Sequence, residues 1–190
     1  MAAKSNLETY RRLITLKDGA RLLLRPLTAG DGDKLTELYT SAQPEDWQVL
    51  RHNMEDLSAV RAWIDELDYH RVLPLGALIN DRIVGSVTLH RQSDSPYRHI
   101  GEVRIFLSKD FRGRALGTEM LKTMIELARK EGLHMLRGEV LVRQAKFIKA
   151  LQLLGFEQQC VLEDYYMLPD GQTEDVAILL MRLLKQGDEF

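Results

Sequence analysis

The chain has 190 residues, 45% of them apolar, and a formal charge of −2 from 26 basic and 28 acidic side chains. That balance excludes wholesale disorder, suits a single domain over residues 1–190, and supplies no global cationic field for nucleic acid or anionic lipid. The longest aliphatic run, Val176–Met181, is far shorter than the roughly 20 residues a membrane-spanning helix needs. The lone Cys160 fits a reducing compartment, and MAAKSNLETYRR has no apolar signal region, so the expected location is cytoplasmic.

In chain order, LITLKDGARLLLRPL places two short apolar runs around Asp18-Gly19, a pair suited to a hairpin turn. Leu35, Leu38 and Tyr39 share a helical face that Asp31 or Asp33 can cap. Residues 42–56 hold Pro44 and many polar residues and read as a loop. Val60, Trp63, Ile64 and Leu67 then mark a second amphipathic helix, with Ser58 as its cap.

Three strands follow in series, VLPLGALIN, RIVGSVTLHR and HIGEVRIFLS, with Asn80-Asp81 as the first turn and SDSPYR as the second. In the third strand Val103, Ile105 and Leu107 alternate with Glu102, Arg104 and Phe106. A long helix runs from Leu116 to Ala128, closed by Gly132. The strand LHMLRGEVL, the helix RQAKFIKALQLLGF and two strands around Pro169-Asp170-Gly171 complete the chain. The order β-β-α-α-β-β-β-α-β-α-β-β predicts an α/β (α+β) fold with a mixed, mainly antiparallel sheet and helices on its faces.

Residues 103–128 carry the chemistry. A strand passes through Arg112-Gly113-Arg114-Ala115-Leu116-Gly117 directly into a helix. Glycines let the backbone approach a ligand, and the N–H groups and dipole at a helix start favour a phosphate or pyrophosphate. Arg112 and Arg114 add permanent charge, and Lys109, Arg143, Lys146 and Lys149 extend a local basic surface. The same glycines also serve a plain strand–helix turn. The chain contains no GxxxxGK[ST] and no GxGxxG in a leading βαβ unit, which argues against a P-loop and a dinucleotide fold.

The segment VRIFLSKDFRGRALGTEMLKTMIELARKEG resembles the acyl-CoA-binding motif of the GNAT superfamily of N-acetyltransferases, and RQAKFIKALQLLGF resembles that family's second motif. The resemblance implies a central sheet of about seven strands flanked by four helices, with acetyl-CoA or another acyl-CoA as co-substrate. Its pyrophosphate would rest on the backbone of Arg112, Gly113, Arg114, Ala115, Leu116, Gly117 and Thr118. The pantetheine arm would lie along the strand near Ile105 and Leu107, entering a gap the family opens between this strand and the next, after Leu141. Gln144 would reach backbone or ligand amides, and a backbone N–H near Phe106 would stabilise the oxyanion. The implied reaction moves the acyl group directly to a primary amine of a small molecule or protein. No metal is expected, and a homodimer through edge strands is compatible with the family pattern.

Three positions depart from that pattern. Ala115 replaces a frequent glycine, Gln144 a frequent asparagine, and Leu151 a tyrosine that in many members protonates the departing thiolate. An amine of pKa about 10 needs a base to lose its proton at neutral pH. Glu102 is the leading candidate, with pairing to Arg104 as its structural alternative, and Glu139 is the weaker one. Tyr165 or Tyr166 offers a phenolic acid, although packing explains both. Cys160 is expected to be buried and inert. None of the five histidines has metal-ligand spacing, and His90 and His99 flank one hairpin and can face each other. The loop around Trp47, with Glu45, Asp46, Glu55 and Asp56, would attract a cationic amine. Leu151 leaves open a second function, an acyl-CoA-binding sensor or interaction module without turnover.

Overall fold

Alternating apolar residues and a short turn at Lys17–Gly19 build the first two strands of a sheet. The computed structural model describes residues 7–42, 57–93, 95–168 and 170–183. Strands β1 (Arg12–Thr15) and β2 (Arg21–Pro26) form a hairpin, followed by helices α1 (Gly32–Thr40) and α2 (Leu57–Asp65). Strands β3 (Val72–Ile79), β4 (Arg82–Arg91) and β5 (Ile100–Leu107) run antiparallel in series. Asn80 and Asp81 turn between β3 and β4 with φ 49° and 64°, as a type I′ hairpin requires. The chain continues through α3 (Leu116–Lys130), β6 (Met135–Leu141), α4 (Ala145–Leu153), β7 (Glu157–Met167) and β8 (Thr173–Arg182).

The sheet order is β1-β2-β3-β4-β5-β6-β8-β7. Among the described residues only β5 and β6 pair in parallel, because α3 crosses over between them. The sheet thus has eight strands rather than about seven, since β1 pairs with β2 along its four residues. Asp31 does not cap α1 through its side chain. It accepts the Thr28 N–H at 2.8 Å and both ends of the Arg25 guanidinium at 2.6 Å.

Helices cover both faces. Leu116, Met120, Met124 and Leu127 of α3 share a core with Leu151 of α4 and Leu75, Val87, Val103 and Leu136 of the strands. Leu35, Leu38 and Tyr39 of α1 and Val60 and Ile64 of α2 pack with Leu78, Ile83 and Phe106 on the other face. Strand β7 lies at the sheet edge and is exposed along most of its length, including Cys160. The expectation of a buried Cys160 is therefore overturned, because β7 has no layer packed over that position.

Candidate active site

The parallel ladder between β5 and β6 lasts three residue pairs, Ile100↔Met135, Gly101↔Leu136 and Glu102↔Arg137. Beyond Glu102 the strands part. β5 stays paired with β4 as far as Leu107, and β6 stays paired with β8 as far as Leu141. The opening begins at Glu102 and Arg137, earlier than the expected place after Leu141. It leaves a solvent-open cleft whose rims are Glu102–Ile105 of β5 and Gly138–Val140 of β6. Leu121 of α3 and Gln144, Phe147 and Leu151 of α4 complete its wall. A parted strand leaves N–H and C=O groups on its inner edge to be met by an extended ligand.

Side-chain alternation gives the cleft two unlike sides. Val103 belongs to the α3 core, whereas Phe106 packs edge-on to Tyr39 of α1, with ring centroids 5.5 Å apart. Glu102 and Arg104 share the face of Phe106. On β6, Leu136 and Val140 lie in the α3–α4 core, so Arg137 and Glu139 point to the same side as Glu102 and Arg104. That side is polar. Glu102 Oε1 accepts from Arg104 Nε at 2.7 Å, and Glu139 pairs with Arg137. Thr88 and His90 on β4 stand opposite Arg104 and Glu102, and the Thr88 hydroxyl meets His90 Nε2 at 3.0 Å. Burial pushes the Tyr39 hydroxyl up to about 12, with Ser86 pulling the other way, so it stays protonated.

Past Leu107 the chain turns through a short 3-10 helix, Lys109–Phe111, into the loop before α3. Ala115 occupies the N-cap position of α3 with φ 64° and ψ 2° and makes no side-chain cap bond. The first intrahelical bond runs from the Glu119 N–H to the Ala115 carbonyl at 3.2 Å. The N–H groups of Leu116, Gly117 and Thr118 precede it and are aligned with the positive end of the helix dipole. A Cβ at Gly117 would lie 3.2 Å from Leu107 Cδ1, so this glycine lets the helix start sit against β5. Arg112 donates to the Leu107 carbonyl at 3.0 Å and lies 5.6 Å from the Phe106 ring centroid. Arg114 stacks 4.5 Å over Phe111 and donates to Asp18 Oδ2 at 2.6 Å. This hydrogen bond holds the Asp18 carboxyl below the usual carboxylate range. The Arg114 charge is thus answered from the β1–β2 turn, and Arg143 pairs with Glu174 at 2.9 Å.

The fold brings Glu102, Ile105, Glu139, Gln144 and Leu151 to one cleft, with the loop from Arg112 to Thr118 at the end of β5. The Phe106 and Leu116 side chains are buried away from it, so only their backbone is available to a ligand there. Tyr165 and Tyr166 lie on β7, beyond β8, and do not line the cleft. His99 faces His134 with ring centroids 5.8 Å apart, not His90, because β5 and β6 begin side by side. Trp47, Glu45, Asp46, Glu55, Asp56 and His52 lie outside the described residues. Sequence reasoning missed the Asp18 contact and the cleft-lining role of Arg104. The Glu-x-Arg on β5 and Arg-x-Glu on β6 were its only local signal.

Three comparisons bear on this arrangement. A family profile described as acetyltransferase (GNAT) domain matches residues 21–157. An uncharacterized N-acetyltransferase of Methanocaldococcus jannaschii is 32% identical over 90 residues, which take in 46% of this chain and 40% of that protein. The chain thus spans about two-fifths of the length of this curated relative. Among solved structures, the GNAT domain of S. lividans PAT superposes with a TM-score of 0.72 at 20% identity, over 90% of this chain and 96% of that one. The ribosomal-protein-S18-alanine N-acetyltransferase of Escherichia coli does so with a TM-score of 0.69 at 19% identity, over 89% and 98%. At these identities the structural likeness speaks for the fold.

Proposed function

The chain belongs to the GNAT acetyltransferase family, and from that premise we propose that it moves an acetyl group from acetyl-CoA directly to a primary amine. The observation that carries this reading is the opening of β5 from β6 beside an α3 N-terminus that has no side-chain cap. An extended, amide-containing arm fits the free strand edge, and a pyrophosphate fits the first-turn N–H groups.

In this reading the backbone of Arg112–Thr118 holds the pyrophosphate, with the Arg112 guanidinium at its flank. Backbone near Ile105, Phe106 and Leu107 holds the arm, and Gln144 offers an amide from the opposite wall. Glu102 accepts a proton from the amine, directly or through water, with Glu139 across the opening as the second carboxylate. Holding amine and thioester in contact supplies much of the rate, and an N–H of β5 meets the negative charge that develops on the carbonyl oxygen. Leu151 is 2% exposed and lines the cleft. It can exclude water but cannot donate a proton, so the leaving thiolate, whose conjugate thiol has a pKa of about 8.5, departs unassisted or takes its proton from solvent.

Leu151 also favours the second reading, an acyl-CoA-binding module without turnover. Isothermal titration with acetyl-CoA followed by thiol release in the presence of amines separates the two. Saturable binding with amine-dependent thiol release is expected. Glu102→Gln is expected to lower kcat about 100-fold with the acetyl-CoA Kd within twofold of the parent. Binding without thiol release would favour the module, and no binding up to millimolar acetyl-CoA would remove both.

A further inference from the structure

The polar side of the cleft carries charge in a pattern rather than a single sign. Along β5 Glu102 is followed two residues on by Arg104, and along β6 Arg137 is followed by Glu139. The parallel register sets Glu102 beside Arg137, so sign alternates along each strand and from strand to strand. Of the four, Glu102, Arg104 and Glu139 line the cleft, and Arg137 pairs with Glu139. A polyamine would bring only cations to a lining that includes the Arg104 guanidinium. An acceptor carrying one charge of each sign can exchange protein–protein pairs for protein–ligand pairs. Its ammonium would take the carboxylates, and its carboxylate would take an arginine, which binds such a group with fixed geometry. That Arg104 itself lines the cleft, together with Glu102 and Glu139, points to an incoming oxygen.

Resting on the acyl-transfer reading above, we infer that the acceptor is a small zwitterionic amine of the amino-acid type, with Arg104 as the residue that selects its carboxylate. The test uses the protein saturated with coenzyme A and three probe sets: free amino acids, their carboxamides, and the diamine putrescine. Each is measured by titration calorimetry, and with acetyl-CoA by thiol release. At least one amino acid is expected to bind at least tenfold more tightly than its carboxamide and than putrescine. Arg104→Met is expected to remove that tenfold preference, through KM more than kcat, and Arg104→Lys to restore part of it. The inference is overturned if the carboxamides or putrescine bind as well as every amino acid. It is also overturned if Arg104→Met, folded by circular dichroism, keeps the preference. Arg104-dependent amino-acid binding without thiol release would uphold the inference and overturn acyl transfer instead.

Discussion

At Ala115 the backbone takes a left-handed conformation that glycine adopts freely and alanine adopts at a cost of roughly 1–2 kcal/mol. The departure from the glycine frequent in the family is therefore one of backbone geometry. Ala115→Gly relieves that strain and returns some entropy to the unfolded chain, so a net stabilisation of about 0.5–1 kcal/mol is expected in urea unfolding. Glu102 was singled out because the family resemblance put it on the strand expected to hold the acyl-CoA arm, and the structure places it on the cleft rim. What local spacing could not show is that β6 stands across from Glu102 and Arg104 so that they line a cleft, or that Asp18, 96 residues before Arg114, reaches the loop before α3. Those are contacts between segments remote in sequence, and no local spacing encodes them.

Among the elements, the short ladder between β5 and β6 decides whether a site exists, and it is built on tight packing at its base. A Cβ at Gly101 would lie 2.5 Å from Leu89 Cδ1 and 2.8 Å from Leu133 Cδ1. Gly101→Ala is expected to destabilise the fold by about 2 kcal/mol through overpacking. Gly138 offers the contrast, since a Cβ there would meet Leu151 Cδ1 at 3.5 Å, an ordinary contact on the cleft side. Gly138→Ala is expected to stay within about 0.5 kcal/mol of the parent, and urea midpoints of the two variants check the pair. The strands themselves, and the helices over 32–40 and 116–130, follow from apolar periodicity and turn chemistry that any reader of the chain can find. The early parting of β5 from β6 does not, because nothing in either strand's own pattern says how many residues of its neighbour it will pair.

For the whole molecule, the Arg25–Asp31 pair joins the end of β2 to the start of α1 and is the most buried of the ion pairs formed by an aspartate among the described residues, with Asp31 4% exposed at its side chain. Burial alone would raise the Asp31 carboxyl, but hydrogen bonds from Arg25 and the Thr28 N–H outweigh it and hold the group below the ordinary aspartate value. A carboxyl depressed by folding contributes stability that is present above its unfolded value and is lost as pH falls through its folded value. The parent is therefore expected to lose stability below about pH 4. Asp31→Asn is expected to cost about 3 kcal/mol at pH 7 and to flatten the acid limb, as read by denaturant unfolding from pH 7 to pH 3. The class of sheet, the order of its elements, the loop that opens α3 and the family motifs could all be read along the chain, because periodicity, turns and caps act over a few residues. The parting of the strands at Glu102, the meeting of the Glu102–Arg104 and Arg137–Glu139 pairs across neighbouring strands, and the exposure of Cys160 on β7 emerged with the packed fold. Pairing length and layer coverage are set by the packing of distant segments, which spacing along one chain does not record.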